Sequence, residues 1–189
     1  MTRIKNNFGS YRDYVVHLKT RLALAAGVYS SLQKIEWSGI RRLIFVCKGN
    51  VCRSPYAEAR ARLMGFPAAS FGLETAGNGP ANPAALRNAT VRGVDLSGHR
   101  SSPMDTRELT FQDLVLVFEP RQVMRLHSLS LGMSLPPLPH VSLLGLWEPG
   151  YRRPLIADPY GRSDEYFQVC FDRIDASVNS IIERIRCSQ

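Results

Sequence analysis

Cys47 and Arg53 stand six positions apart in Cys47-Lys48-Gly49-Asn50-Val51-Cys52-Arg53-Ser54-Pro55, a short segment rich in turn-forming residues. A thiolate nucleophile and a planar guanidinium at that spacing suit the binding and attack of a phosphoryl group. Leu43 to Val46 reads as a buried strand, and Ser54-Pro55 followed by Tyr56-Ala57-Glu58-Ala59-Arg60 reads as a helix start. The loop between them faces a helix N-terminus, where converging backbone N–H groups and the helix dipole favour a phosphate or other oxyanion and hold Cys47 as the thiolate, its nucleophilic form. Arg53 offers two parallel donors to phosphoryl oxygens, where a lysine would act only as a point charge. Gly49 lets the backbone curl around the anion, and Asn50 tolerates the left-handed conformation such a loop needs while its side chain pins the turn. Ser54 either donates a hydrogen bond to the Cys47 sulfur, making it a better leaving group, or simply caps the helix. Lys48, Gly49, Asn50, Val51, Cys52 and Ser54 are thus the candidate substrate cradle.

A cysteine six residues before an arginine carries little weight alone. A thiolate that displaces an oxygen also needs a general acid, distant in sequence and near in space. Asp158-Pro159-Tyr160 is the candidate: Asp158 follows the apolar run Leu155-Ile156-Ala157, and Pro159 gives the carboxylate a defined direction. Taken alone, an Asp-Pro pair is usually just a turn.

Together these segments resemble the low-molecular-weight protein tyrosine phosphatases. Cys47 to Pro55 is similar to that family's nucleophile loop and Asp158-Pro159-Tyr160 to its general-acid loop. Thr75-Ala76-Gly77, Gly93-Val94-Asp95-Leu96-Ser97-Gly98-His99-Arg100 and Asp113-Leu114-Val115-Leu116-Val117-Phe118-Glu119 resemble intervening segments, so the likeness spans roughly residues 41 to 186. The resemblance implies that Cys47 becomes the phosphocysteine and that Arg53 clamps the phosphate. Asp158 then acts first as acid and afterwards as the base that activates water, with Tyr160 beside the substrate. It implies no metal and no organic cofactor, and gives His99 a supporting role.

Departures bear on specificity. Gly77-Asn78-Gly79-Pro80-Ala81-Asn82-Pro83 is short and carries none of the aromatic residues that wall the cleft in many members, and Tyr160 is followed by Gly161-Arg162-Ser163 instead of a second tyrosine. Those residues and Trp147-Glu148 more closely resemble bacterial members that act on tyrosine kinases of exopolysaccharide and capsule assembly, which makes such a kinase one implied partner. Core packing at a strand end is the plainer role for Trp147. Lys48, where the family often has an apolar residue, either draws acidic sequences to the rim or points to solvent. Arsenate reductases share the fold and loop but relay a disulfide through two further cysteines, and residues 76 to 110 contain none. A catalytically silent phosphotyrosine-binding module is the alternative of another class; Cys47, Arg53 and Asp158 together favour catalysis.

The elements that must position these residues follow from the apolar pattern. Strand-like runs at Leu43 to Val46, Phe71 to Thr75, Leu114 to Phe118 and Val141 to Leu144 alternate with helical stretches near 54 to 65, 83 to 93, 120 to 129 and 164 to 186. This predicts a three-layer α/β domain, a four-stranded parallel sheet with helices on both faces and the phosphate-binding loop after the first strand. Ligands bind at the carboxyl ends of such strands. In the last helix Cys170 shares an apolar stripe with Phe167, Phe171, Ile174, Val178, Ile181 and Ile185, so core is its expected place.

The 189 residues, 44% of them hydrophobic, suffice for one catalytic domain, and a net charge of +8 suits an anionic substrate or acidic partner such as a phosphotyrosine protein. Nucleic acid is disfavoured, since the basic residues are scattered and no nucleic-acid-binding signature appears. Four cysteines without an export signal or a spanning apolar run point to a reducing cytoplasm. Cys52 either pairs with Cys47 in a reversible disulfide or is a small buried packer.

Residues 1–40 precede the catalytic domain, 41–189, as a helical extension. Tyr11, Val15, Leu18, Leu22, Ala25, Tyr29 and Leu32 recur every three or four residues and predict one apolar stripe on a helix. Four ways of burying it stay open: packing on the domain, docking on a partner, or homodimer or membrane contact through residues 10–35.

Overall fold

The computed structural model describes residues 2–132 and 140–189. Four strands, β1 (Arg42–Cys47), β2 (Ala68–Gly72), β3 (Asp113–Val117) and β4 (His140–Leu143), form one sheet of order β2-β1-β3-β4. Every pairing is parallel. β1 and β3 occupy the centre because they are apolar without alternation, and Leu43 to Val46 and Leu114 to Val117 are fully buried. At the sheet's outer end Arg42 forms a bidentate pair with the buried Asp113, Nε to Oδ1 at 2.7 Å and Nη2 to Oδ2 at 2.8 Å, which locks the register in which Arg42 faces Asp113.

The helices are α1 (Thr2–Phe8), α2 (Tyr11–Ala25), α3 (Arg53–Leu63), α4 (Pro83–Thr90), α5 (Pro120–Gly132) and α6 (Asp164–Cys187). α3 packs on β1 and β2, and α5 on β3 and β4. The strand order runs outward in opposite directions from the β1/β3 boundary, so right-handed crossovers place α3 and α5 on opposite faces of the sheet. α6 turns its stripe of Phe167, Cys170, Phe171, Ile174, Val178, Ile181 and Ile185 into the core, and the Phe171 ring stacks on Tyr56 of α3 at 3.7 Å between centroids. Burial pushes the Cys170 thiol up to about 12, so it packs as a neutral, inert side chain.

Two expectations are corrected. The second strand is Ala68–Gly72, not Phe71 to Thr75. Its small residues Ala68, Ala69 and Ser70 lack the bulk that marks a strand in sequence, but the pairing of Leu43 with Ala68 through Cys47 with Gly72 places them beside β1. The apolar stripe of the extension does not run along one helix either: α2 ends at Ala25, and of the four ways of covering the stripe, packing on the domain does not bury its α2 part. Tyr11, Leu18 and Leu22 are exposed, whereas His17 and Thr20 are buried. Polar ties set the rotation of α2: Asp13 pairs with Arg162, and Arg21 donates to the Tyr151 hydroxyl. Phe8 of α1 packs on Tyr14 and His17, with ring centroids 5.0 and 5.1 Å apart. Tyr29 and Leu32 lie past the helix end, Tyr29 buried in the main core with Leu32 packed against it.

The segment joining α2 to β1 covers the edge strand. Ser142 of β4 donates to the Leu32 carbonyl at 2.6 Å and accepts from Trp147 Nε1 at 2.9 Å, and Trp37 meets Trp147 edge-on at 4.8 Å between centroids. Trp147 is therefore a packed side chain.

Candidate active site

The loop between β1 and α3 is built around Asn50. Its φ of +54° is left-handed, a conformation asparagine tolerates better than most side chains, whereas Gly49 is not left-handed. The Asn50 side chain is fully buried. Its Nδ2 donates to Ser54 Oγ (2.9 Å) and Ser70 Oγ (2.8 Å), and its Oδ1 accepts from Ser102 N at 2.8 Å. His99 Nε2 meets the Asn50 carbonyl at 2.7 Å. Beneath the loop, a Cβ on Gly72 would lie 2.7 Å from Thr75 Cγ2 and 3.1 Å from the Asn50 backbone nitrogen, so only glycine fits.

These bonds aim the chemistry. The Asn50 amide points at Cys47 Sγ at 3.2 Å, and Ser54 Oγ lies 3.0 Å from the same sulfur. Because Ser54 Oγ accepts from Asn50 Nδ2, its own proton is free to point at the sulfur. Ser54 is thus placed for the sulfur bond, while Cys52 takes the N-cap position of α3 without a side-chain cap bond. Burial, and next the Asp158 charge, push the Cys52 thiol well above its usual range, so it stays protonated while Cys47 is the sulfur addressed by donors.

Arg53 is fully buried on the first turn of α3. Burial works against its charge, but Asp158 and Glu119 reverse that effect and hold the guanidinium protonated. Nη1 donates to Glu119 Oε1 and to the Ile156 carbonyl, each at 2.8 Å. Nη2 lies 2.9 Å from Asp158 Oδ2 without hydrogen-bond geometry, and neither Nη2 nor Nε has a hydrogen-bond partner. One face of the fork is anchored and the other retains two unused donors, the arrangement that grips a tetrahedral anion. Glu119, at the carboxyl end of β3, was missed as a site residue; its sequence signal is a lone acid directly after an apolar strand.

Cys47, Lys48, Gly49, Val51, Cys52, Glu74, Asp158, Tyr160 and Arg162 line one cavity of about 330 Å³. The fold thus brings the two sequence-distant segments together. Asn50, Arg53 and Ser54 stand behind the cavity wall, Tyr160 is an exposed aromatic side, and Lys48 at the rim pairs with Glu74 at 3.5 Å. A larger groove of about 740 Å³ between α3, β2 and residues 93–102 contains neither Cys47 nor Asp158; its wall includes Ser70, His99 and Ser102, the partners of Asn50. Among the described residues no group of three or more His, Cys, Asp or Glu side chains is arranged to hold a metal ion.

A family model for low molecular weight phosphotyrosine protein phosphatase matches residues 42–189. The chain belongs to that family. It is 31% identical over 149 residues to the probable low-molecular-weight protein-tyrosine-phosphatase EpsP of Ralstonia nicotianae, covering 78% of this chain and 97% of the relative. The crystal structure of the Erwinia amylovora tyrosine phosphatase AmsI is similar with a TM-score of 0.67 at 26% identity, covering 76% of this chain and 92% of that one. Vibrio vulnificus Wzb in complex with benzylphosphonate is similar with a TM-score of 0.62 at 26% identity, over 74% of this chain and 95% of that chain. The family match begins at the first residue of β1, so the extension lies outside it.

Proposed function

We propose that the protein hydrolyses phosphotyrosine in proteins through a phosphocysteine intermediate formed on Cys47. In the first step the Cys47 thiolate forms a bond to phosphorus as the phosphorus–oxygen bond to the tyrosine breaks, and Asp158 gives its proton to the departing phenolate. Arg53 carries the charge of the equatorial oxygens through Nε and Nη2 while Glu119 holds the guanidinium still. In the second step Asp158 takes a proton from water as the water oxygen attacks phosphorus. The sulfur then leaves with its negative charge stabilised by Ser54 and the Asn50 amide.

The observation that carries this reading is the shared cavity. Cys47 and Asp158 line the same space, and one unused donor of Arg53, Nη2, lies 2.9 Å from the Asp158 carboxylate. Tyr160 supplies an aromatic side for a tyrosine ring. Lys48, Arg121 and Arg125 line a second hollow of about 220 Å³ that shares Lys48 and Glu74 with the first, which favours phosphotyrosine in an acidic segment. A tyrosine kinase of polysaccharide assembly is the partner suggested by the likeness to bacterial members, and the four free cysteines suit the reducing cytoplasm.

Residues 1–40 are read as an accessory element and 41–189 as the catalytic domain. A homodimer or membrane contact would run through the exposed face of α2 that carries Tyr11, Leu18 and Leu22; among the described residues no helix is long and apolar enough to cross a membrane.

The test is hydrolysis of an aryl phosphate and a phosphotyrosine peptide by wild type, Cys47→Ser and Asp158→Asn. Loss of turnover in Cys47→Ser and strong reduction in Asp158→Asn support the mechanism. A wild type that binds the peptide without turning it over makes the protein a phosphotyrosine-binding module instead.

A further inference from the structure

We infer that the elbow between α1 and α2 positions the proton-donating loop, with Asp13 and Arg162 as positioning residues. This rests on Asp158 being the acid. Asp158 Oδ2 lies 2.9 Å from Arg53 Nη2, but from Tyr160 to Arg162 the loop has few ties of its own: Tyr160 N reaches Asp158 Oδ1 at 3.2 Å, and Arg162 N closes a turn onto the Pro159 carbonyl at 2.9 Å, with Gly161 left-handed at φ +70°. Pro159 is buried, and the side chains past it face outward, Tyr160 being 64% exposed. That exposed, sparsely bonded stretch adjoins the acid directly, and proton transfer tolerates few orientations of the carboxylate.

The extension provides the missing restraint at both ends of that loop. On the far side, Arg162 gives Nη2 to Asp13 Oδ2 at 2.8 Å and Nη1 to the Gly9 carbonyl at 3.2 Å. Asp13 is itself fixed, because Ser10 Oγ donates to Oδ2 at 2.5 Å and accepts from the Asp13 amide at 3.0 Å. On the near side, Gly9 lies against the Tyr166 ring so closely that a Cβ would sit 3.0 Å from Cε1, and the Tyr166 hydroxyl reaches the carbonyl of Ala157 at 3.4 Å. Ala157 directly precedes Asp158. One elbow therefore touches the chain before the acid and after it.

Charge gives Asp13 a second effect. Arg162 lines the cavity that holds Cys47 and Asp158. Its guanidinium is held by Asp13 and the Gly9 carbonyl; freed, the same group would pair with Asp158 or with the incoming phosphate and draw the carboxylate out of line.

The experiment measures kcat/KM for aryl phosphates whose phenols span a range of basicity, using the full chain as wild type, Asp13→Ala, Asp13→Asn, Asp13→Glu, Asp158→Asn and Asp13→Ala/Asp158→Asn, with melting temperatures recorded alongside. Asp13→Ala is expected to lose about tenfold on the most basic leaving group and little on nitrophenol, since only the former depends on a well-placed proton. The loss should fall on kcat more than on KM, be partly reversed by Asp13→Glu, and vanish in the Asp158→Asn background. Asp13→Asn, isosteric with the native residue, keeps the comparison open if the alanine variant unfolds. A loss equal for all leaving groups, or one that adds fully to that of Asp158→Asn, overturns the inference and leaves the elbow a purely structural support. If Asp158→Asn alone keeps the wild-type dependence on leaving group, the assignment of Asp158 as the acid falls, and this inference with it.

Discussion

Replacing Asn50 tests whether one buried side chain both holds the loop and aims Ser54 at the nucleophile. In Asn50→Ala three hydrogen bonds disappear. The hydroxyls of Ser54 and Ser70 can rotate toward other partners, but the Ser102 amide cannot, and a backbone N–H left without an acceptor costs about 1–3 kcal/mol. Alanine at φ +54° adds about 1–2 kcal/mol of left-handed strain. The sum, about 2–5 kcal/mol, corresponds to a fall in melting temperature of roughly 4–20 °C for a domain of this size. Asn50→Gly should regain the strain contribution but not the hydrogen bonds and melt between alanine and wild type. Ser54, released from Asn50, can turn its proton to the Phe71 carbonyl at 3.4 Å. Sulfur then leaves the phosphoenzyme without one charge-assisted bond, a loss of about 1.5–3 kcal/mol or roughly tenfold to a hundredfold in the second step. Thermal unfolding and rapid-quench measurement of phosphoenzyme breakdown give both numbers. An Asn50→Ala variant that turns over at the wild-type rate, or a glycine variant no more stable than alanine, would refute the reasoning.

Stability should fall in mildly acidic solution through His17. This side chain is 5% exposed, and burial first, then the charges of Arg173, Arg153 and Arg21 against the opposing Glu148, lower it from 6.5 to about 4. The unfolded chain therefore takes up the proton first, so the contribution is complete above pH 6.5 and is lost toward pH 4. It amounts to about 1–2 kcal/mol after allowance for screening, and His17→Gln should flatten the melting-temperature profile across that window. Ser142→Ala orphans Trp147 Nε1 and the Leu32 carbonyl and should cost about 2–4 kcal/mol in urea unfolding; an unchanged midpoint would mean the extension is not tied to β4. Arg125→Glu should raise KM severalfold for an acidic phosphotyrosine peptide while leaving a small aryl phosphate nearly unaffected, and equal effects on both substrates would remove the rim from substrate recognition.

The place of the loop from Cys47 to Arg53 was legible in sequence because its determinants are contiguous: Cys47, Asn50, Arg53 and Ser54 lie on one turn between an apolar strand and a helix start, and local backbone chemistry dictates their arrangement. The parallel α/β order was legible for the same reason, since β1 and β3 are runs of apolar residues and α6 carries a regular stripe. Three matters belonged to the tertiary structure alone. The start of β2 follows from pairing with β1, because Ala68, Ala69 and Ser70 carry too little apolar signal of their own. Glu119 becomes the anchor of Arg53 only when β3 lies beside β1, so that two strand ends share one crevice. The rotation of α2 obeys Asp13–Arg162 and Arg21–Tyr151, contacts between residues far apart in the chain. The stripe of Tyr11, Leu18 and Leu22 is therefore left outward although periodicity alone would bury it. Periodicity records which residues share a face; which face turns inward is decided by the partners that folding brings to it.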